Sequence, residues 1–338
     1  MKKIFTIILL IIFSQITGCN STKKANNPPF KFSDEDIQQG NQKFKRLKKR
    51  VGIYNDEKLD AYVTHVGNNV LRAASVPTLN FSFNILDTTL INAHAIQDGH
   101  ILITKGMLIL LEDEAQLASV IAHEVAHIVS GHTADREKRF RDTMKLTKEI
   151  NRNFDTSGAR QVSRLFSTIS QKSYLRKNEL HADQLAVDYI KNTNYPPIAV
   201  LESLYALKKY EAFYRSKTQR ESSNNLSHML SSHPDINKRI STIEPLLSEQ
   251  KKTTLRYSRK TNEYLSAING LKLTNKKSKR SLAIIEVTDK KPLIKFFNDL
   301  EDDEKKYKEL FMLINNLKNL EDLKTPALLK WIKVEPAA

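Results

Sequence analysis

Apolar residues recur every three or four positions over most of the first 250 residues, and two short stretches alternate instead. The helical spacing predicts helices over residues 34–72 and about 113–130, and Gly131 stands where the second should stop. The alternating stretches, residues 79–86 and 99–104, predict strands. Further helices are predicted at about 134–170, 173–191, 198–216 and 235–249.

The pattern changes after residue 250. Residues 251–280 are rich in lysine and arginine and predict a basic linker. Residues 281–338 predict a strand, two helices and a last strand, with the strands near 282–287 and 329–334. Together these patterns predict an α+β protein. It has a mainly helical domain with a small β-sheet over residues 34–250, and a small C-terminal βααβ domain.

The chain is strongly basic. Its 338 residues carry 54 Lys and Arg against 38 Asp and Glu, a formal net charge of +16. Such a charge suggests an anionic neighbour, which could be nucleic acid, an acidic cell-surface polymer such as peptidoglycan, or a layer of anionic lipid headgroups. A solvated basic surface with no such partner explains the charge equally well.

The first nineteen residues resemble the signal peptide and lipobox of bacterial lipoproteins. Lys2 and Lys3 precede a short apolar run, 4–13, which ends in the sequence Ile-Thr-Gly-Cys at 16–19. The resemblance implies that residues 1–19 direct export, that Cys19 carries the lipid anchor, and that residues 20–33 form a flexible tether. An incidental cysteine inside a cleaved signal peptide is the alternative. An exported protein has no nucleic-acid partner.

Cysteine chemistry is otherwise excluded. Cys19 is the only cysteine, so neither an intrachain disulfide nor a zinc–thiolate cluster can form.

By resemblance to Gram-negative sorting rules, Asn20 favours the periplasmic face of the outer membrane.

The segment from His123 to His127 has the sequence HExxH inside the predicted helix 113–130. Residues four apart share a helix face, with Cβ atoms about 5–6 Å apart, so two imidazoles can bind one zinc ion. Zinc lowers the pKa of a water to about 7, and Glu124 beside the histidines can take its proton as the general base. The alternative is a structural helix with two surface histidines, which the apolar flanks and Ala126 disfavour.

A catalytic zinc site needs a third protein ligand. His132 lies about half a turn from the ligand face, so it is not expected to bind the metal. Glu179 and Asp183 are four residues apart on a later helix, whereas His181 between them points away. A ligand carboxylate with a second carboxylate that orients a ligand histidine is a common arrangement. An exposed acidic pair is the alternative.

The segments that carry a wider resemblance are 91–95, 99–103, 114–132, the pair Glu179 and Asp183, and 232–240. Over about residues 35–250 they resemble the gluzincin peptidases of the HtpX and BepA type, which include the CAAX prenyl protease and Oma. The resemblance implies a zincin-like fold, with Glu179 as the third zinc ligand and Asp183 bracing a ligand histidine. It also implies that strand 99–104 is the edge on which a peptide substrate lies.

The same resemblance assigns His233 to the site. It would either stabilise the oxyanion of the transition state or occupy the fourth zinc position in a latent enzyme. The plain alternative is a histidine that precedes the next helix, with Pro234 at its first turn. The C-terminal unit weakly resembles a peptidoglycan-binding LysM domain, and a small packing or partner-binding domain is the alternative.

The expected function is therefore a zinc endopeptidase of the bacterial cell envelope with one zinc per chain. Its substrates would be proteins or peptides, in quality control of envelope proteins. The competing hypothesis is a non-catalytic lipoprotein that keeps the zinc fold to bind cell wall or an assembly partner. An intact set of His123, Glu124, His127 and Glu179 favours the enzyme.

Overall fold

The computed structural model describes residues 32–77, 81–153, 175–217, 233–248, 256–273, 280–300 and 305–334. The predicted signal peptide, Cys19, most of the tether and residues 154–174 lie outside these ranges. Helices are α1 Asp34–Val51, α2 Glu57–Ala73, α3 Lys105–Leu110, α4 Glu114–Val129, α5 His132–Asn153, α6 175–191, α7 Ile198–Lys217, α8 Ile236–Ser248, α9 Thr261–Ile268, α10 Lys291–Asn298 and α11 Lys305–Ile314. Strands are β1 Ser82–Leu86, β2 Ala93–Ala95, β3 His100–Thr104, β4 Arg280–Val287 and β5 Ala327–Val334.

The described chain is α+β and mainly helical, as predicted. The helical pattern predicted over 34–72 is confirmed, and it is divided between two separate helices, α1 and α2. Gly52 ends α1 with a φ of +91°, a conformation that residues with a side chain rarely adopt. Asp56 then starts α2, its side chain accepting a hydrogen bond from the backbone N–H of Leu59.

The three-stranded sheet has the order β1–β3–β2. β1 runs parallel to β3, and β2 runs antiparallel to it. The strand predicted as the substrate edge, 99–104, is therefore the central strand. That prediction was wrong, because both sides of β3 are occupied by ladder hydrogen bonds. Within the described residues, β2 is an edge strand of this sheet, and it packs against α4.

Helix α4 lies in the centre of the protein. Every residue from Glu114 to Ile128 is buried. The side chain of Asp113 caps its first turn by accepting from the N–H of Gln116, and Gly131, with a φ of +71°, follows its end. Helices α2 and α7 and strand β2 pack around α4. The predicted boundaries of this helix are confirmed within one residue.

The last elements of the described chain are β4, α10, α11 and β5. β4 and β5 pair antiparallel along their whole length, from Arg280 opposite Val334 to Val287 opposite Ala327. Their apolar cluster consists of Val287, Leu293, Phe297, Phe311, Leu320, Leu323 and Leu329. The interval predicted as a linker carries α9, whose buried Tyr264 donates a hydrogen bond to the carbonyl oxygen of Leu108 at 2.5 Å. Among the described helices, none combines the length and apolarity needed to cross a membrane.

Lys330 ties the C-terminal elements to the helical body. Its buried ammonium donates to the carbonyl oxygens of Ile109 at 2.8 Å, Leu111 at 2.5 Å and Ile314 at 2.8 Å. Burial lowers the pKa of Lys330 to about 7, while the carboxylates of Glu112 and Asp113 oppose that shift. The three N–H groups of the Lys330 ammonium thus meet three carbonyl oxygens, which lie at the C-terminal ends of α3 and α11. The dipole of a helix favours a cation at that end.

We expect Lys330→Met to lower the free energy of unfolding by about 2–4 kcal/mol, because the substitution leaves buried carbonyl oxygens without a donor. Lys333→Met on the same strand is the matched control, since Lys333 is exposed. It should change stability by less than about 0.5 kcal/mol. Urea unfolding of the two variants measures the difference, and equal midpoints would contradict the anchoring role.

Candidate metal centre

Two histidines on α4 and one glutamate on α6 meet at the centre of the fold. His123 and His127 are one turn apart, and their Nε2 atoms lie 3.1 Å from each other. The Glu179 carboxylate joins them, with Oε2 3.3 Å from His123 Nε2 and Oε1 3.2 Å from His127 Nε2. The Glu179 side chain is only 1% exposed. Two imidazole nitrogens and a buried carboxylate thus face one point.

His233 completes this group from the loop before α8. Its Nδ1 lies 3.0 Å from Glu179 Oε2 and 3.4 Å from His123 Nε2. One ligand atom from each of the four residues lies within 4.8 Å of the other three. Pro234 precedes α8 rather than lying in its first turn, since the helix begins at Ile236.

The donor set fits zinc. Three imidazoles and one carboxylate are ligands that Zn²⁺ accepts, and a tetrahedral zinc needs four donors around one point. The other ring nitrogen of His233, Nε2, is buried and has no hydrogen-bond partner within the described part of the chain. This nitrogen lies 3.6 Å from Glu124 Oε1. The Glu124 carboxylate therefore stands beside the cluster without belonging to it.

The surrounding charges hold the carboxylates ionised. Burial alone would raise the pKa of Asp183, but Arg239 and His123 lower it to about 2. Burial opposes ionisation of Glu179 as well, yet His233, His127 and Arg239 hold its pKa well below the usual range. Both acids thus carry the charge that a cation requires.

Asp183 and Arg239 orient the proposed ligands through atoms that do not face the cluster centre. Asp183 Oδ1 accepts from His123 Nδ1 at 2.8 Å, which directs Nε2 of that ring to the cluster. Arg239 donates two hydrogen bonds of 2.7 Å to Asp183, and its Nη1 lies 3.2 Å from Glu179 Oε2. The sequence analysis gave Arg239 no role. Its place six residues after His233 was the available signal.

A chain of histidines orients the second ligand. His127 Nδ1 lies 3.2 Å from His132 Nδ1, and His132 Nε2 lies 3.1 Å from His181 Nδ1. With His127 Nε2 as a metal ligand, its Nδ1 would carry the proton and donate a hydrogen bond to His132 Nδ1. His132 Nε2–H then donates to His181. His132 stands outside the ligand group, in line with its rejection as a ligand, but sequence reasoning missed its contact with His127.

The chain matches the model of peptidase family M48 over residues 57–247. The beta-barrel assembly-enhancing protease of Escherichia coli strain K12 is 23% identical over 53% of this chain and 39% of that protein. The putative beta-barrel assembly-enhancing protease of Vibrio cholerae is 29% identical over 30% of this chain and 21% of that protein. Mitochondrial metalloendopeptidase OMA1 of Schizosaccharomyces pombe is 25% identical over 56% of this chain and 53% of that protein.

The chain thus spans about half or less of the length of these relatives. The matched region contains α2 to α7 and nearly all of α8, and with them every residue of the cluster. Because the family model covers more than half of the sequence, the chain belongs to peptidase family M48.

Proposed function

We propose that this protein is a zinc-dependent endopeptidase that binds one zinc through His123, His127 and Glu179. The observation that carries the proposal is the convergence of these buried side chains beside the Glu124 carboxylate. A non-catalytic zinc-fold module is not favoured, because such a module has no use for a general base at this position.

The residues of the chain divide the chemistry among them. When bound, zinc would lower the pKa of a water and polarise the substrate carbonyl. Glu124 takes the proton of the attacking water and then passes it to the leaving amine. Asp183 and His132 keep the ligand rings fixed through their Nδ1 atoms, so that both Nε2 atoms stay aimed at one point.

The substrate would lie on β2. Two backbone hydrogen bonds flank β2: the carbonyl oxygen of Asn92 accepts from the N–H of Thr104 on β3, and the N–H of Ile96 donates to the carbonyl oxygen of His100 on β3. Because such bonds alternate along an antiparallel pair, the N–H and C=O groups of Ala93 and Ala95 point to the free edge. An extended peptide can add to this edge as a further strand. This assignment replaces the one made for strand 99–104.

The expected result of Glu124→Gln is a fall of about 10²–10⁴ in kcat with zinc binding retained, because the substitution removes the base and leaves the ligands. Glu57→Gln, at an exposed position on α2, is the control. Cleavage of a quenched fluorescent peptide and zinc analysis of the same samples measure both quantities. Full activity in Glu124→Gln would contradict the assigned role.

His132→Ala should weaken zinc binding by about 10–100-fold, because His127 loses the acceptor that holds its ring. Competition with a chromophoric chelator measures the affinity without any substrate. His65→Ala is the matched control, since His65 is exposed on α2. His132→Gln, which keeps an acceptor, should recover part of the affinity. Unchanged zinc affinity in His132→Ala would remove His132 from the positioning network.

For His233 we propose the latch role, because its Nδ1 lies 3.0 Å from Glu179 Oε2 and 3.4 Å from His123 Nε2 and would fill the fourth zinc position. His233→Ala should then raise basal peptidase activity several-fold while zinc content stays the same. A loss of two orders of magnitude with zinc retained would instead assign oxyanion support. Unchanged activity would leave His233 as a residue that merely precedes α8.

We further propose that the enzyme acts on envelope proteins in quality control, anchored through Cys19 to a membrane, on the outer-membrane periplasmic face in a Gram-negative cell. The lipobox sequence supports the anchor. The unit from β4 to β5 would serve to pack on α3 through Lys330 rather than to bind peptidoglycan or anionic lipid. Cys19→Ser should move the protein from the membrane to the soluble fraction on immunoblots, and an unchanged membrane fraction would exclude lipidation.

A further inference from the structure

The C-terminal half of α1 carries a run of exposed cations, which we call the α1 basic face. Its members are Lys45, Arg46, Lys48, Lys49 and Arg50. Within the described part of the chain none of the five forms an ion pair. Exposed cations on α6 and α7 do pair with acids, Lys191 with Asp188 at 3.2 Å and Arg215 with Glu211 at 2.7 Å. The charge of the α1 basic face is therefore available to a partner outside the chain.

The packing of α1 directs these cations away from the body. Phe44, Leu47 and Val51 pack against a buried apolar cluster at the three-stranded sheet. At about 3.6 residues per turn, Lys49 lies on the opposite side of the helix from these three, and the other four cations flank it. The direction of the basic face is thus set by the apolar residues on the other side of the helix.

Polar contacts also hold α1 against α5. Lys43 pairs with Glu137 at 2.8 Å, and Arg141 donates a hydrogen bond to Gln39 Oε1 at 2.5 Å. Because α5 follows directly after the helix that carries His123 and His127, a surface bound by α1 also fixes the orientation of the metal centre.

The helix dipole accounts for only part of this charge. Lys48, Lys49 and Arg50 stand in the last turn, where the dipole favours cations. Because that effect falls off within one turn, it gives no reason for Lys45 and Arg46. Lys45 with Lys49, and Arg46 with Arg50, are like charges four residues apart, which destabilise a helix. An anionic surface against this face would relieve the repulsion.

The α1 basic face lies within reach of the surface that would hold the lipid anchor. Phe32 is buried, and its ring centroid lies 5.7 Å from that of Phe81. Residues 20–31, between Phe32 and Cys19, span at most about 40 Å. Helix α1, with 18 residues, is about 27 Å long. Its first turn is acidic and its last turn is basic, so an anionic surface would attract the last turn and repel the first.

We propose that the α1 basic face binds the anionic headgroups of a phospholipid bilayer, as a membrane contact in addition to the proposed anchor at Cys19. A lipid anchor and a polybasic patch together give stable membrane attachment. A layer of headgroups fits cations that are spread over about two turns of one helix, whereas a single small anion would contact only one or two of them. This binding requires neither the peptidase activity nor the anchor.

Cosedimentation with lipid vesicles tests the proposal on the chain from residue 20 onward. That chain lacks the proposed signal peptide and anchor, and it keeps the compact unit Phe32–Ala338. It should bind vesicles that contain phosphatidylglycerol and not vesicles of phosphatidylcholine alone, and binding should weaken as salt rises. Lys45→Gln, Arg46→Gln and Lys49→Gln together should lower the affinity about 100-fold, at about fivefold for each cation. Equal binding of the parent chain to both kinds of vesicle would overturn the proposal.

A second triple variant is the matched control. Lys318→Gln, Lys324→Gln and Lys333→Gln remove the same charge from exposed positions near and on β5. This variant should lose less than about threefold in affinity, since only the screened long-range part of the attraction changes. An equal loss in both triple variants would show that net charge alone drives the binding, and would overturn the assignment to α1.

Two further measurements complete the test. The α1 triple variant should unfold at the same temperature as the parent chain or a higher one, because like charges are removed, so weaker vesicle binding would not reflect a lost fold. Sedimentation with purified peptidoglycan examines the other anionic partner. If the parent chain binds peptidoglycan through α1 and does not bind the phosphatidylglycerol vesicles, the lipid assignment is overturned.

Discussion

His123 and His127 present two imidazole nitrogens only 3.1 Å apart, with the Glu179 carboxylate buried against both. Two imidazole nitrogens and a carboxylate buried at this separation require a positive charge between them, which a proton or a metal cation supplies. The rest of the described structure follows from this requirement. Helix α4 is buried, so that both imidazole rings lie inside the protein. Helix α6 must approach α4 closely enough to add the carboxylate of Glu179 to the two rings.

The charges around the centre serve the same requirement. Arg239 pairs with Asp183 and approaches Glu179, so one guanidinium supports both the third ligand and the residue that orients His123. Removing one partner of such a buried set leaves an uncompensated charge. The free-energy cost of that charge is larger than the stabilisation that the intact ion pair contributes. The network therefore favours a single arrangement of the ligands.

Local signals in the sequence predicted the parts of the structure that local chemistry determines. Helix α4 has an Asp113 cap, a regular apolar pattern and Gly131 at its end, and its bounds were predicted within one residue. The break between α1 and α2 was missed because apolar spacing continues across it, although Gly52 and Asp56 were both visible. The HExxH spacing fixed the relative geometry of its two histidines for the same local reason.

Features that depend on how distant elements pack against each other could not be predicted from the sequence. β3 is the more apolar strand, but its central place depends on Ala93–Ala95 pairing beside it, and three residues carry too little pattern to show that. The contact between His132 and His181 depends on how α5 and α6 meet. Lys330 gave no signal, because a buried lysine is recognised only by the three carbonyl oxygens around it.

The central claim is that these buried side chains form one zinc site. Native mass spectrometry of the purified chain, beside Glu179→Gln and the exposed control Glu244→Gln, tests it most directly. The account predicts about one zinc per chain in the parent protein and in Glu244→Gln, the load of a single catalytic site, and loss of most of the zinc in Glu179→Gln. A parent chain without zinc after gentle purification, or a Glu179→Gln variant with its full load, would contradict it.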